Sequence, residues 1–196
     1  IAKRMLEWAE KENAFENNIL GPTSKVALAN FRDGIDSKAV TDKALSNGSA
    51  MRIAPIGCLF NAADKERIAN FVYGVSEVTH TSDISIAGAA MIAVAVSSAI
   101  ENSDFEAVIK DVFEMEPIAR KLGAETFSPS LTERIKLGIY LANKYKDDED
   151  LFLENSEPEI DKKFDTKVET KTENEKQTTE KEFDLAQEKV ETVLSQ

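Results

Sequence analysis

Apolar residues recur at spacings of three and four along most of the first 145 residues, which is the period of helices with one buried face. In segment 64–78, for example, Ile68, Phe71, Val72 and Val75 fall on one such face. No stretch of consequence alternates apolar and polar residues as a half-buried strand does. The pattern therefore predicts an all-α fold, with helices over residues 2–13, 24–32, 51–60, 64–78, 84–100, 105–122 and 131–145.

Segment 84–100 differs from the others because it is apolar on nearly all sides and rich in Ala, Ser, Val and Ile. Small side chains let neighbouring helices approach closely, so we expect this helix at the centre of a bundle, with Asp83 as its cap. Its 17 residues are shorter and less apolar than a spanning helix needs, so we expect no membrane span. Before the last helix, Ser130 and Glu133 have the spacing of a capping box.

The net charge of −12 is concentrated near the end of the chain, where residues 146–196 hold 8 basic and 17 acidic residues. From Asn155 onward, Glu, Lys and Thr surround single apolar residues, which cannot bury enough surface to order the chain. We predict a helical domain over 1–154 and an acidic low-complexity tail over 155–196. A terminal amphipathic helix over 183–194 is possible within this tail.

The charge and the cysteine content limit the partners and the cellular compartment that we expect for this protein. An acidic chain without a basic stripe repels phosphate backbones, so we expect no nucleic-acid partner. The single cysteine, Cys58, has no second cysteine with which to form an internal disulfide. We therefore expect a cytoplasmic protein.

The least ordinary segment is 46–57, in which an Asn-Gly turn leads into an apolar run. Gly48 allows close backbone approach, Asn47 and Ser49 offer short hydrogen-bonding side chains, and a helix start offers N–H groups to an anion. Together these features suit a diphosphate or a ribose. The alternative is an ordinary Asn-Gly turn with Arg52 as a salt-bridged structural residue.

The order of motifs supports the first interpretation. Segment 46–57 is followed by Thr79-His80 and then by Ile86-Ala87-Gly88-Ala89. This resembles the ADP-ribosylglycohydrolase family, in which Asn-Gly-(Ser/Ala)-x-Met-Arg-x-x-Pro precedes a Thr-His pair and a small-residue helix. Segments 21–23 and 130–135 are also similar, so the resemblance covers about residues 1–150.

The resemblance implies an all-α, ADP-ribosylglycohydrolase-like helical bundle, incomplete in this chain. The acidic C-terminal tail, which we expect to be flexible from its composition, does not resemble the family. The resemblance also implies hydrolysis of the glycosidic bond that joins ADP-ribose to a protein side chain or small acceptor. The partner is then an ADP-ribosylated protein or an ADP-ribose-type small molecule, and the implied cofactor is Mg²⁺. Met51 and Arg52 would hold the loop to the helix behind it. The residues carried over as substrate contacts are Ser46, Asn47, Gly48, Ser49 and His80.

The two acidic clusters that family members share are not visible in this chain. One is a Thr-Asp-Asp-Thr-like stretch that would precede Ile1, and the other is an Asp-Thr-Asp stretch near the C-terminus. Magnesium needs oxygen ligands, and paired carboxylates would activate the attacking water. Residues 147–150 read as a solvated acidic run, and 164–167 has one carboxylate beside a lysine. No metal ligand or catalytic residue is therefore assigned.

Two explanations for the missing clusters stay open. The chain is either a piece of a longer enzyme, which its non-methionine start favours, or a protein with a diverged C-terminus, which its tail favours. In the second case, it would be a catalytically inactive ADP-ribose binder or a crystallin-like structural relative.

Overall fold

The computed structural model describes residues 1–102 and 104–146, and within them regular structure is helical. The all-α prediction is confirmed. The nearest approach to a strand in these residues is an isolated parallel bridge between Ser82 and Ala124. The helices are α1 (Ala2–Lys11), α2 (Pro22–Arg32), α3 (Lys38–Thr41), α4 (Ala50–Gly57), α5 (Lys65–Ser76), α6 (Asp83–Glu101), α7 (Phe105–Ala119), a 3₁₀ turn (Arg120–Leu122) and α8 (Leu131–Lys144).

The chain divides into two compact units, Ile1–Glu133 and Arg134–Gln196. In the second unit, the described residues continue α8 as far as Lys144, whose ammonium lies 4.7 Å from the centre of the Tyr145 ring. The predicted domain boundary between 154 and 155 and the terminal helix over 183–194 lie outside the described residues. So do the acidic segments 147–150 and 164–167.

Helix α6 is the centre of the first unit, as its composition predicted. Helices α4, α5 and α7 all pack against it. A Cβ on Gly57 would lie 2.3 Å from the carbonyl oxygen of Ala93, so α4 and α6 meet backbone to backbone where only glycine fits. By length and composition alone α6 passes as a membrane-spanning helix, but 61% of its most apolar window is buried within the protein.

The N-terminus of α6 corrects one expectation, because Ser82 and not Asp83 is its cap. Ser82 is extended, and its hydroxyl accepts the N–H of Ser85 at 3.3 Å. The carboxylate of Asp83 accepts the N–H of Ile84 at 2.8 Å, and it also accepts from Arg120 at 2.8 Å and from the hydroxyl of Thr126. A serine reaches the N–H three residues on, which frees the aspartate to bind the segment after α7.

Several predicted boundaries shift by a few residues. The helix expected over 105–122 becomes 3₁₀ at Arg120. Helix α4 stops at Gly57, shorter than the expected 51–60, and retains Pro55 in its last turn. The four-residue α3 was not predicted, because its sequence has no apolar period long enough to read.

Two residues cap the start of α8: Ser130, which directly precedes it, and Glu116, which lies on α7. Ser130 accepts the N–H of Glu133 at 3.3 Å, as a capping serine does. The buried carboxylate of Glu116, on α7, accepts the N–H groups of Leu131 at 2.8 Å and Thr132 at 2.7 Å. These bonds and the hydroxyl of Ser130 hold the pKa of Glu116 below its usual range, against the opposing effect of burial.

We predict that Glu116→Gln lowers the free energy of unfolding by about 1–3 kcal/mol, because a neutral amide replaces a buried, fully engaged carboxylate. Since the folded-state pKa is depressed from 4.5, the contribution of Glu116 is present above that pH and lost as the pH falls through the folded value. Urea denaturation across this range measures both effects.

The exposed Glu125 provides the matched control, and Glu125→Gln should leave stability unchanged within about 0.5 kcal/mol. Equal effects of the two substitutions would contradict the assigned role of Glu116.

Candidate functional site

The loop before α4 is fixed to the first turn of α6. The hydroxyls of Ser82 and Ser85 both donate to the carbonyl oxygen of Ala44, the second at 2.6 Å. The hydroxyl of Ser85 also lies 3.3 Å from the carbonyl oxygen of Ser46. The central, most buried helix of the unit therefore positions the Ser46–Gly48 turn.

An extended segment between α5 and α6 positions His80. The N–H of Thr81 donates to the carbonyl oxygen of Thr41 at 2.9 Å, and the carbonyl oxygen of Thr81 accepts the N–H of Ala124 at 2.7 Å. Thr81 also donates its hydroxyl to Asp42 at 2.6 Å. With both sides of the backbone engaged, the segment that contains His80 has little freedom to move.

The imidazole of His80 is buried against the loop. Its Nε2 lies 2.9 Å from the hydroxyl of Ser46, and its Nδ1 lies 2.8 Å from the hydroxyl of Thr79. Burial, with the nearby positive charge of Arg52, lowers the pKa of His80 to about 4. The ring is therefore neutral at pH 7.

Arg52 joins the loop to the His80 segment. Its Nη1 donates to the carbonyl oxygen of Gly48 at 2.7 Å, and its Nη2 donates to the hydroxyl of Thr79 at 2.8 Å. Within residues 1–102 and 104–146 no carboxylate pairs with Arg52, and its buried Nε has no partner. Burial lowers the pKa of Arg52. The predicted link between the loop and α4 is present at Arg52, whereas Met51 is 76% exposed. The alternative of a salt-bridged Arg52 finds no partner among the described residues.

The residues predicted as substrate contacts lie at different depths. Ser46 and Asn47 are exposed, and Gly48 is half-buried beside the His80 ring. Ser49 is fully buried and shares a hydrogen bond with the hydroxyl of Ser76. The structure thus brings Ser46, Gly48 and His80 together, while the side chain of Ser49 lies inside the protein. Their roles in binding stay predictions.

Fewer backbone N–H groups are available to a ligand at the start of α4 than the sequence suggested. The N–H of Met51 donates to the carbonyl oxygen of Asn47 at 3.0 Å, and that of Arg52 to Ser49 at 3.2 Å. These two groups close the turn and do not face a ligand. The role of Thr79 as a link between Arg52 and His80 was missed, although its place beside His80 in the Thr-His pair was a signal.

Magnesium does not fit the residues described around this loop. The set comprises neutral hydroxyls, a neutral imidazole and a guanidinium that repels a cation, whereas Mg²⁺ needs hard oxygen ligands with negative charge. In the described part of the chain, no three His, Cys, Asp or Glu side chains group closely enough to hold a metal ion.

Comparison with known proteins places this chain in a family. The sequence profile described as ADP-ribosylglycohydrolase matches residues 1–167, and the chain belongs to that family. The family is all-α, as is this fold. Membership is consistent with a metal dependence, although no ligands are identified here.

Two curated proteins are similar to this chain. The uncharacterized protein YegU of Escherichia coli K12 is 37% identical over 139 residues, which are 71% of this chain and 42% of that protein. An uncharacterized protein of Archaeoglobus fulgidus is 25% identical over 144 residues, which are 74% of this chain and 43% of its own length. The chain spans less than half the length of both relatives. No solved structure matches it significantly.

We predict that Gly48→Ala destabilises the site, because the added Cβ would lie 2.7 Å from Cε1 and 2.9 Å from Nε2 of His80. The ring must move and weaken its bond to Ser46, which should lower the free energy of unfolding by about 1–3 kcal/mol in urea denaturation. Gly74→Ala, at a helical position with open space, is the control and should be neutral or stabilising by up to about 1 kcal/mol. Equal loss in both variants would show that the close approach at Gly48 has no energetic consequence.

We predict that His80 titrates near pH 4, well below its ordinary 6.5, when its ring protons are followed by NMR. It is the only histidine, so the assignment is unambiguous. His80 has the higher pKa in the unfolded chain, so on acidification the unfolded chain binds the proton before the folded chain does. The free energy of unfolding should therefore fall as the pH drops from about 6.5 towards about 4. His80→Gln should remove that part of the pH dependence. A midpoint near 6.5 would contradict the burial of the ring.

Proposed function

We propose that the Ser46–Gly48 turn and His80 bind the diphosphate and adjoining ribose of ADP-ribose. The observation that carries the proposal is the partly buried guanidinium of Arg52, which donates to the carbonyl of Gly48 and has no carboxylate partner in the described residues. A positive charge in a poorly solvated position attracts an anion strongly, because little water screens it. A diphosphate supplies the missing negative charge.

The side chains at the surface suit the same ligand. Ser46 and Asn47 are the exposed polar side chains of the turn, and the neutral ring of His80 lies directly behind Ser46. Short hydroxyl and amide groups bind phosphate and ribose oxygens without filling the space that the ligand needs. Ser49 is buried against Ser76, and we propose that it acts on the ligand by fixing the turn.

The reaction that this recognition serves is hydrolysis of the bond between ADP-ribose and a protein side chain or small acceptor. In that reaction a water oxygen bonds to the anomeric carbon, the bond to the acceptor breaks, and the acceptor gains a proton. Activation of the water calls for a base, and beside the turn both ring nitrogens of His80 are already hydrogen-bonded, to Ser46 and Thr79. We therefore assign substrate recognition to this part of the family fold, and bond cleavage to groups outside the described residues.

A second candidate is an ADP-ribose-binding module without hydrolysis. The specific observation in its favour is that residues 1–102 and 104–146 contain no cluster of three metal-ligating side chains. The two candidates differ in whether the chain releases ADP-ribose from a modified protein when magnesium is added. Release at an enzymatic rate would contradict the second candidate.

Calorimetry with ADP-ribose tests the binding site. We expect Asn47→Ala to weaken binding about tenfold, because one hydrogen bond to the ligand is lost. Asn70→Ala is the matched control on the exposed face of α5 and should bind as the wild-type chain does. Adenosine, which lacks the diphosphate, should bind much more weakly than ADP-ribose.

A chelator should leave the affinity of this chain for ADP-ribose unchanged, since no described carboxylate cluster holds a metal at the turn. Equal affinity for adenosine and ADP-ribose would contradict recognition of the diphosphate, as would wild-type binding by Asn47→Ala.

A further inference from the structure

Four polar side chains form a continuous chain of hydrogen bonds from the interior to the surface. Arg52 Nη2 lies 2.8 Å from Thr79 Oγ1, which lies 2.8 Å from His80 Nδ1. His80 Nε2 lies 2.9 Å from Ser46 Oγ, and Ser46 is exposed. The direction of each bond follows from what each group can donate or accept.

Arg52 fixes the direction of the first bond. A guanidinium only donates, so Thr79 Oγ1 accepts from it. Thr79 is fully buried, and its single hydroxyl hydrogen needs an acceptor. In the part of the chain that the structure describes, the other group bonded to this oxygen is Nδ1 of His80, so the hydroxyl hydrogen of Thr79 points there.

The reverse direction is less favourable. If Nδ1 of His80 donated its own hydrogen, Thr79 would accept twice, and its hydroxyl hydrogen would be buried without an acceptor among the described residues. An unsatisfied buried donor loses its hydration with nothing in exchange. The orientation in which Thr79 donates gives the hydroxyl hydrogen of Thr79 and the ring hydrogen of His80 an acceptor each.

We infer that His80 is held as the Nε2–H tautomer, so that Ser46 accepts from the ring and directs its own hydroxyl hydrogen to a phosphate oxygen of the ligand. The identity of that ligand rests on the proposed function, whereas the tautomer does not. Ser46 is then a donor that recognises an acceptor oxygen. Arg52 and Thr79 are positioning residues, since they act through His80.

One consequence concerns the class of chemistry at this site. A ring nitrogen that already bears hydrogen cannot take a proton from the serine, so His80 does not activate Ser46 as a nucleophile. The distance between Ser46 and His80 is similar to that in a hydrolytic serine site. In this fold, the contact serves to recognise the ligand.

The tautomer is tested by long-range ¹H–¹⁵N correlation on the full ¹⁵N-labelled chain at pH 7, where the single histidine gives one set of ring signals. We expect Nε2 to have the chemical shift of a protonated nitrogen and Nδ1 that of an unprotonated one. The opposite assignment in the wild-type chain would overturn the inference.

Two substitutions of Thr79 test the positioning role. Thr79→Val removes the hydroxyl and should move the ring towards a mixture of tautomers, whereas Thr79→Ser keeps the hydroxyl and should preserve the Nε2–H signals. A merely structural role for Thr79 predicts no change of tautomer in either variant. If Thr79→Val does not fold, the wild-type and Thr79→Ser spectra still decide the inference.

Ligand binding tests the donor role of Ser46 separately. Ser46→Ala should keep the Nε2–H signals and weaken ADP-ribose binding about tenfold, and Ser46→Thr should retain most of the affinity. Unchanged affinity in Ser46→Ala would overturn the donor role. A wild-type chain that binds no ADP-ribose would contradict the proposed function and the phosphate contact, while the spectrum alone decides the tautomer.

Discussion

The arrangement of the candidate site depends on the partly buried guanidinium of Arg52. It joins the carbonyl of Gly48, before α4, to the hydroxyl of Thr79, after α5, so one side chain sets the distance between the two chain segments that form the site. Because these partners are neutral, the charge is oriented but not cancelled. That single constraint orders Thr79 and His80 and keeps a positive potential behind the turn, which on our proposal attracts the ligand's diphosphate.

The surrounding helices make this constraint rigid. Small residues along α6 let α4 approach closely, as at Gly57 and Ala93, and the hydroxyl of Ser85 at its start fixes the preceding loop. On the other side, Asp83 and Glu116 bind Arg120, which also donates to the carbonyl oxygen of Pro129. The segment that contains His80 therefore lies between two polar networks, and each network includes residues of a buried helix.

The chain belongs to the ADP-ribosylglycohydrolase family, and we propose that its described residues serve recognition and not bond cleavage. The residues at the turn are neutral or positive, which suits binding of an anion and not of Mg²⁺. The matched segment covers less than half of the related proteins from Escherichia coli and Archaeoglobus fulgidus. We propose that the recognition elements lie together in this part of the fold, and that hydrolysis in the whole protein uses groups from elsewhere.

The sequence by itself determined the helical class, the central place of α6 and the family, because hydrophobic period, small-residue content and motif order are all local properties. It also indicated Ser46, Gly48 and His80, which the fold brings together. Only the tertiary structure decided that Ser49 is buried, that Ser82 caps α6 and that Glu116 helps to cap α8. The physical reason is that period fixes which helix face is buried, whereas the partners of a polar group depend on how helices cross. Ser46 and His80, for instance, are 34 residues apart.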